Sequence, residues 1–130
     1  MHLVEHHKLG TVNNKLNIVA LGTPGPGGAI CRYEITGFDT TENPEARMPS
    51  GKRESIRRLV LLFQNGSVAE VGVNGITMES LLAVLIDQIE ETSSDEFNAV
   101  ALRHLQGALE ALHDRTRESI VSNVERKLAE

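Results

Sequence analysis

From Ser93 to its end the chain has no proline, and Gly107 is its one glycine. Nothing there stops a helix once it has started. Ser93 with Glu96 has the spacing of a capping box, in which side chain and backbone satisfy each other's first-turn hydrogen bonds. Leu102, Leu105, Leu109, Leu112, Thr116 and Ile120 recur at three- and four-residue steps, close to a heptad seam. The spacing predicts a long helix over about 94–128, roughly 30 residues and about 45 Å. A shorter helix is predicted over about 78–91. Thr77 offers its N-cap, Glu79 puts negative charge in its first turn, and Leu81, Leu82, Leu85, Ile86 and Ile89 form an apolar stripe. The two read as an antiparallel pair in which the second outruns the first. Its surplus length has nothing to pack on within one chain, so a partner subunit is the simplest cover.

The first half reads differently. Lys15 to Leu21 and Ala29 to Phe38 are strand-like runs separated by "GTPGPGG", whose glycines and prolines break both, which predicts a hairpin with a wide loop. In the second run Cys31, Tyr33 and Ile35 alternate with Arg32 and Glu34, so the Cys31 face is expected to pack inward. "DTTENPEARMPSGKRES" is a long polar loop, expected to be mobile over about 39–54. "RLVLLF", positions 58–63, holds a continuous apolar run from Leu59 to Phe63 and predicts a strand buried on both faces. Asn65-Gly66 then has the composition of a two-residue hairpin turn returning as a strand over Ser67 to Val73. Asn74-Gly75 turns the chain again, with positive φ expected at the glycine. The expected architecture is α+β: an antiparallel sheet of about four to six strands in 1–75 and a helical hairpin in 76–130, together one domain.

Composition removes several function classes. The formal net charge is −5, which argues against a general binder of nucleic acid polymers, and any polyanion site must be local. Aromatics make up 3% and tryptophan is absent, so stacking platforms are scarce. A single cysteine, Cys31, excludes an intramolecular disulfide and fits a reducing cytoplasm. No leader pattern and no long apolar run suggest secretion or a membrane span. His2, His6 and His7 lack a fixed scaffold for a metal and read as part of a solvated terminus; no metal and no cofactor is expected. "GTPGPGG" lacks the Gly-Lys-Ser/Thr ending of a phosphate loop. No local spacing builds a nucleophile with its base, and His104 and His113, nine apart on the long helix, read as surface or interface groups.

"FQNGSVAEVGVNGITMESLLAVLIDQI" followed by "NAVALRHLQGALEALHDRTRES" resembles the phage Thoeris anti-defence sponge family, whose helical hairpin is shared with the phage anti-CBASS sponges. "GPGGAICRYEITGFD" is similar to the amino-terminal sheet of the Thoeris-type members, and the resemblance runs from about Gly25 to Ser119. It implies a non-enzymatic protein that sequesters cyclic nucleotide signals of bacterial immunity, cyclic ADP-ribose isomers and in some members cyclic di- or trinucleotides. It also implies dimers, or hexamers built from dimers, in the host cytoplasm, with ligand held between the hairpin and sheet loops. The family's ligand-contacting asparagine matches Asn98, the first arginine of its "RTR" run matches Arg115, and Arg117 fits the motif as well. Where the family commonly has a further arginine, Ser119 stands. Asp95, Glu96 and Phe97 replace its Cys-Arg-Glu, and "VSNVERKLAE" replaces its glycine-containing tail.

Guanidinium groups suit such a ligand because they offer paired planar donors to phosphate oxygens. Arg115 and Arg117 splay by about 200° around the helix, so Arg115 with Ser119, or Arg117 with a neighbouring subunit, is the better geometry. Asn74, at a turn that can offer backbone groups, and Arg57 and Arg58 complete the candidate set. Arg57 and Arg58 belong to a cationic cluster with Lys52 and Arg53, whose plainer reading is a soluble sheet edge. A hydrolase of the same signals and a purely structural oligomerisation module are the alternative functions.

Overall fold

The computed structural model describes residues 1–129. They form two compact units, Met1–Ile76 and the segment from Thr77 onward.

The first unit is built on a four-stranded antiparallel sheet in sequence order: β1 (His2–Val4), β2 (Asn17–Pro24), β3 (Ile30–Thr36) and β4 (Leu59–Leu62). A short helix, α1 (Thr11–Lys15), takes Lys15 out of the expected strand, so β2 starts at Asn17. The residues read as a solvated terminus include the edge strand β1, where His2 stands opposite Ala20. "GTPGPGG" is tighter than a wide loop. Its Gly28 N–H bonds the carbonyl of Gly25 at 2.9 Å, and that of Gly25 bonds Ala29 at 2.8 Å, a turn with Pro26 where its fixed φ fits.

Register puts Ala20, Tyr33 and Leu61 in one row and Ile18, Ile35 and Leu59 in the next, so the Cys31 face is the more apolar one. Tyr33 also meets Phe63 edge to face at 5.7 Å. The core is thin: among the described residues Ala20 is the one fully buried hydrophobic residue. β4 is not buried on both faces: Leu59 and Leu62, on opposite faces of this edge strand, are each 48% exposed.

The expected return strand after Asn65-Gly66 is replaced by a single helical turn, α2 (Val68–Val71). Ser67 caps it by accepting from the N–H of Glu70, and Gly72 ends it with an N–H bonded to Val68. A serine followed at the third place by glutamate is a helix-start signal, and here it outcompetes hairpin pairing. Gly66 has φ +99°, but neither Asn65 nor Asn74 has positive φ, so no two-residue hairpin turn forms at either pair. Gly75 is not in the left-handed region either. A glycine stands there because the backbone of Phe63 and Gln64 passes too close for a Cβ. That approach lets Gln64 N–H bond Ile76 at 2.9 Å and Ile76 N–H bond Leu62 at 2.8 Å, a parallel bridge outside the main sheet.

The long loop carries its own structure. A 3-10 turn at Thr40–Glu42 starts on Asp39, Arg47 bridges Arg53, and Thr40 ties its end to Glu54 and Ile56.

The second unit is a helical hairpin of α3 (Met78–Glu91) and α4 (Glu96–Ala129). Thr77 caps α3 in a reciprocal capping box with Ser80. At α4 the cap is Asp95 rather than Ser93: its carboxylate accepts from the Asn98 N–H at 2.7 Å, and the Asn98 carboxamide donates to the Ser93 carbonyl at 3.0 Å. Leu81, Leu82, Ile86 and Ile89 of α3 and Leu102, Leu105, Leu109 and Leu112 of α4 are half-buried, while Asp114 to Asn123 are all exposed.

Candidate functional site

The exposed half of α4 carries three of the candidate residues. Two of them behave oppositely. Arg117 donates to Glu110 and Asp114, 2.8 Å each, and these carboxylates hold its guanidinium above the ordinary arginine range. Arg115 has no hydrogen-bond or ion-pair partner among the described residues and stays available to an external anion. Both line one shallow hollow on the helix with Ala111, Asp114, Glu118 and Val121, so their splay around the helix does not separate them as expected. Two arginines and two acids leave that hollow with no net charge on one chain. Ser119 lies one helical turn beyond Arg115 and outside the lining.

Asn98 is half-buried at the start of α4. Seventeen residues separate it from Arg115 (115 − 98), about 25 Å along the helix axis.

The candidates of the first unit are held by their neighbours. Asn74 bonds both main-chain groups of Asn65, its Oδ1 accepting from the N–H at 2.9 Å and its Nδ2 donating to the carbonyl at 2.8 Å. Arg57 pairs with Asp39 at 3.1 Å, Arg58 with Glu34 at 2.9 Å and Arg53 with Glu42 at 3.0 Å. These pairs match the plainer reading of the cationic cluster.

Sequence reasoning missed the two carboxylates that organise it. Glu34, with its side chain only 16% exposed, takes both Arg32 and Arg58. Asp39 accepts from the hydroxyl and amide of Thr41, from Ser55 and from Arg57, and these donors hold its carboxyl far below the usual range. The Asp-Thr-Thr start of the loop was the available signal, since an aspartate readily bonds the amide two residues on.

Among the described residues no group of three metal-ligating side chains could hold an ion, and His7 instead bonds the Leu16 carbonyl through Nε2 at 2.7 Å. No helix among them is long and apolar enough to cross a membrane.

A small sheet unit and a helical hairpin, whose second helix carries an arginine without a partner among the described residues, make this an α+β protein. No family model matches the chain. Over 67 residues it is 39% identical to Thoeris anti-defense 1 of Bacillus phage SBSphiJ7, and this match supports the Thoeris anti-defence family. The aligned stretch is 48% of the chain and 47% of that relative, so the chain spans about half the length of the curated relative it matches.

Proposed function

We propose that the chain is a phage anti-defence protein that binds and sequesters a cyclic nucleotide immune signal without cleaving it. The signal would be a cyclic ADP-ribose isomer such as glycocyclic ADP-ribose, or a cyclic di- or trinucleotide. Its removal from the host cytoplasm keeps Thoeris effectors, and CBASS effectors where the signal is theirs, inactive. The observation that carries this reading is the match to Thoeris anti-defense 1.

The geometry adds a condition. Arg115 is the cation of the hollow without a partner among the described residues, the hollow is neutral on one chain, and Asn98 stands about 25 Å away along the same helix. A homo-oligomer meets that condition by laying α4 of a second copy alongside, so that Asn98 of one copy and Arg115 of the other share a ligand. Dimers, or hexamers made of three dimers, both satisfy it.

A calorimetric and thermal-shift panel of cyclic ADP-ribose isomers and cyclic oligonucleotides tests the reading, followed by boiling the complex and chromatographing the released ligand. Tight binding with intact ligand recovered is the expected result. Altered ligand replaces the sponge with a hydrolase, and no binding by any signal leaves a structural oligomerisation module.

A further inference from the structure

Two Asn-Gly steps lie nine residues apart. Asparagine before glycine can react with its own backbone. The glycine amide nitrogen attacks the carboxamide carbon Cγ, a new C–N bond closes a five-membered succinimide, and the side-chain nitrogen leaves as ammonia. Water then opens the ring at either carbonyl, giving aspartate or isoaspartate. Water is the only co-reactant, and glycine favours the attack because it lacks a Cβ and leaves the backbone free to reach the attacking geometry.

The fold treats the two steps unequally. The Asn74 carboxamide is committed at both ends, Oδ1 to the Asn65 N–H at 2.9 Å and Nδ2 to the Asn65 carbonyl at 2.8 Å. Its own N–H is held by Gln64 Oε1 at 3.0 Å. To react, Asn74 must break both side-chain bonds and swing onto Gly75, which is itself hemmed in by the Phe63–Gln64 backbone. The Asn65 side chain is exposed and has no hydrogen-bond partner among the described residues, and the Gly66 N–H has none there. The Asn65 carboxamide lies beside Gly25, where a Cβ would stand 3.0 Å from its Oδ1. Glycine at that place leaves the side chain room to turn.

We propose that Asn65 is a site of spontaneous succinimide-mediated deamidation, and that the carboxamide clamp on Asn65 protects Asn74, the second susceptible residue in the same segment. The order follows from the clamp. Isoaspartate at position 65 inserts a side-chain carbon into the main chain and displaces the N–H and carbonyl that Asn74 grips. Asn74 is then released and becomes reactive in turn.

The test is to age the purified full chain at mildly alkaline pH and map both positions by peptide mass spectrometry with isoaspartyl-specific methylation. In the native chain Asn65 is expected to convert first, with Asn74 about 30-fold slower, the factor that two hydrogen bonds of ordinary net strength correspond to. In denaturant the two rates should converge, since the local sequences are alike. Asn65→Gln, whose ring closure is slow, should keep Asn74 intact for longer than in the parent. Equal native rates, or Asn74 leading, overturn the proposal. Conversion of Asn74 at the parental rate in Asn65→Gln overturns the order of events.

Discussion

A Cβ placed on Gly75 would stand 2.6 Å from the carbonyl oxygen of Phe63 and 2.6 Å from the amide nitrogen of Gln64. Both are main-chain atoms tied into the bridge that closes the first unit, so neither can yield without breaking the bonds between Gln64 and Ile76 and between Ile76 and Leu62. Gly75→Ala is therefore expected to lower stability by about 1 to 3 kcal/mol, the usual cost of overpacking. Gly75→Val should cost at least as much. Gly107, in the middle of α4 with open space at its Cβ, predicts the opposite sign: Gly107→Ala should gain up to about 1 kcal/mol through helix propensity. Urea denaturation of the parent and the three variants checks both signs, and a Gly75→Ala midpoint equal to the parent's refutes the close approach.

Asp39 predicts a pH dependence. The Thr41 hydroxyl and amide, then Ser55 and Arg57, all donate to its carboxylate and depress its folded pKa below the ordinary value of 3.8. A carboxylate with a depressed folded pKa contributes stability above the unfolded value and loses it as pH falls through the folded one. The contribution of the 39–57 clamp should be constant at neutral pH and disappear only in strong acid. Asp39→Asn is expected to melt lower than the parent at neutral pH, with the gap shrinking as the parent's carboxylate is protonated below pH 3.8. A gap that stays constant down to strong acid would show that the carboxylate's charge does not hold the loop.

The two long helices α3 and α4 were legible because their signals are local and agree with one another: Thr77 marks a start, and the Leu81 to Ile89 stripe and the leucine steps of α4 specify the same period. The sheet was legible as strands but not in its details. Asn65-Gly66 carries the composition of a hairpin turn, and only the competition from Ser67 and Glu70 decides for α2. "LVLL" has the pattern of a central strand, yet its position at the sheet edge depends on what pairs with it, which local sequence does not state. At Gly75 the sequence suggests a positive φ, whereas the glycine is required by the close approach of a segment eleven to twelve residues upstream, which leaves no local trace. Of the candidate site, Arg115 and Arg117 read alike in the sequence. Asp114, three residues before Arg117, and Glu110, about two turns before it, separate them.

The length mismatch in the hairpin predicts self-association. Fourteen residues of α3 span about 21 Å and 34 residues of α4 about 51 Å, so roughly 30 Å of α4 extends past its partner. Ile120 and Val121 on that overhang are 57% and 54% exposed. On an isolated helix surface, glutamate at either place changes stability by no more than about 0.5 kcal/mol, whereas in an apolar interface it buries an unpaired charge. Ile120→Glu with Val121→Glu should leave thermal unfolding of the hairpin nearly unchanged and reduce the mass measured by light scattering toward the 14.2 kDa of one chain. A parent already at that mass at micromolar concentration would remove the oligomer from the proposal.

The separation of Asn98 and Arg115 gives the sharpest test of the site. To hold a signal that acts at nanomolar concentration, the protein needs about −12 kcal/mol of binding free energy, and with few aromatics much of it must come from charged hydrogen bonds to phosphate. Arg115→Ala is expected to weaken binding by roughly 2 to 4 kcal/mol. Asn98→Ala should cost about 1 to 2 kcal/mol, as a neutral group does, and Arg117→Ala should cost less than Arg115→Ala because Glu110 and Asp114 already occupy its guanidinium. If Asn98 from one copy and Arg115 from another build each site, the two defects complement. In a mixed dimer of Asn98→Ala and Arg115→Ala subunits, one site inherits both substitutions and the other inherits neither, so part of the sites should bind with parental affinity. Calorimetry on the refolded mixture reads this directly as a second, tight class of sites absent from both pure variants. If no tight class appears although mass measurement confirms mixed dimers, the shared site is wrong, and unchanged affinity in Arg115→Ala removes the hollow on α4 altogether.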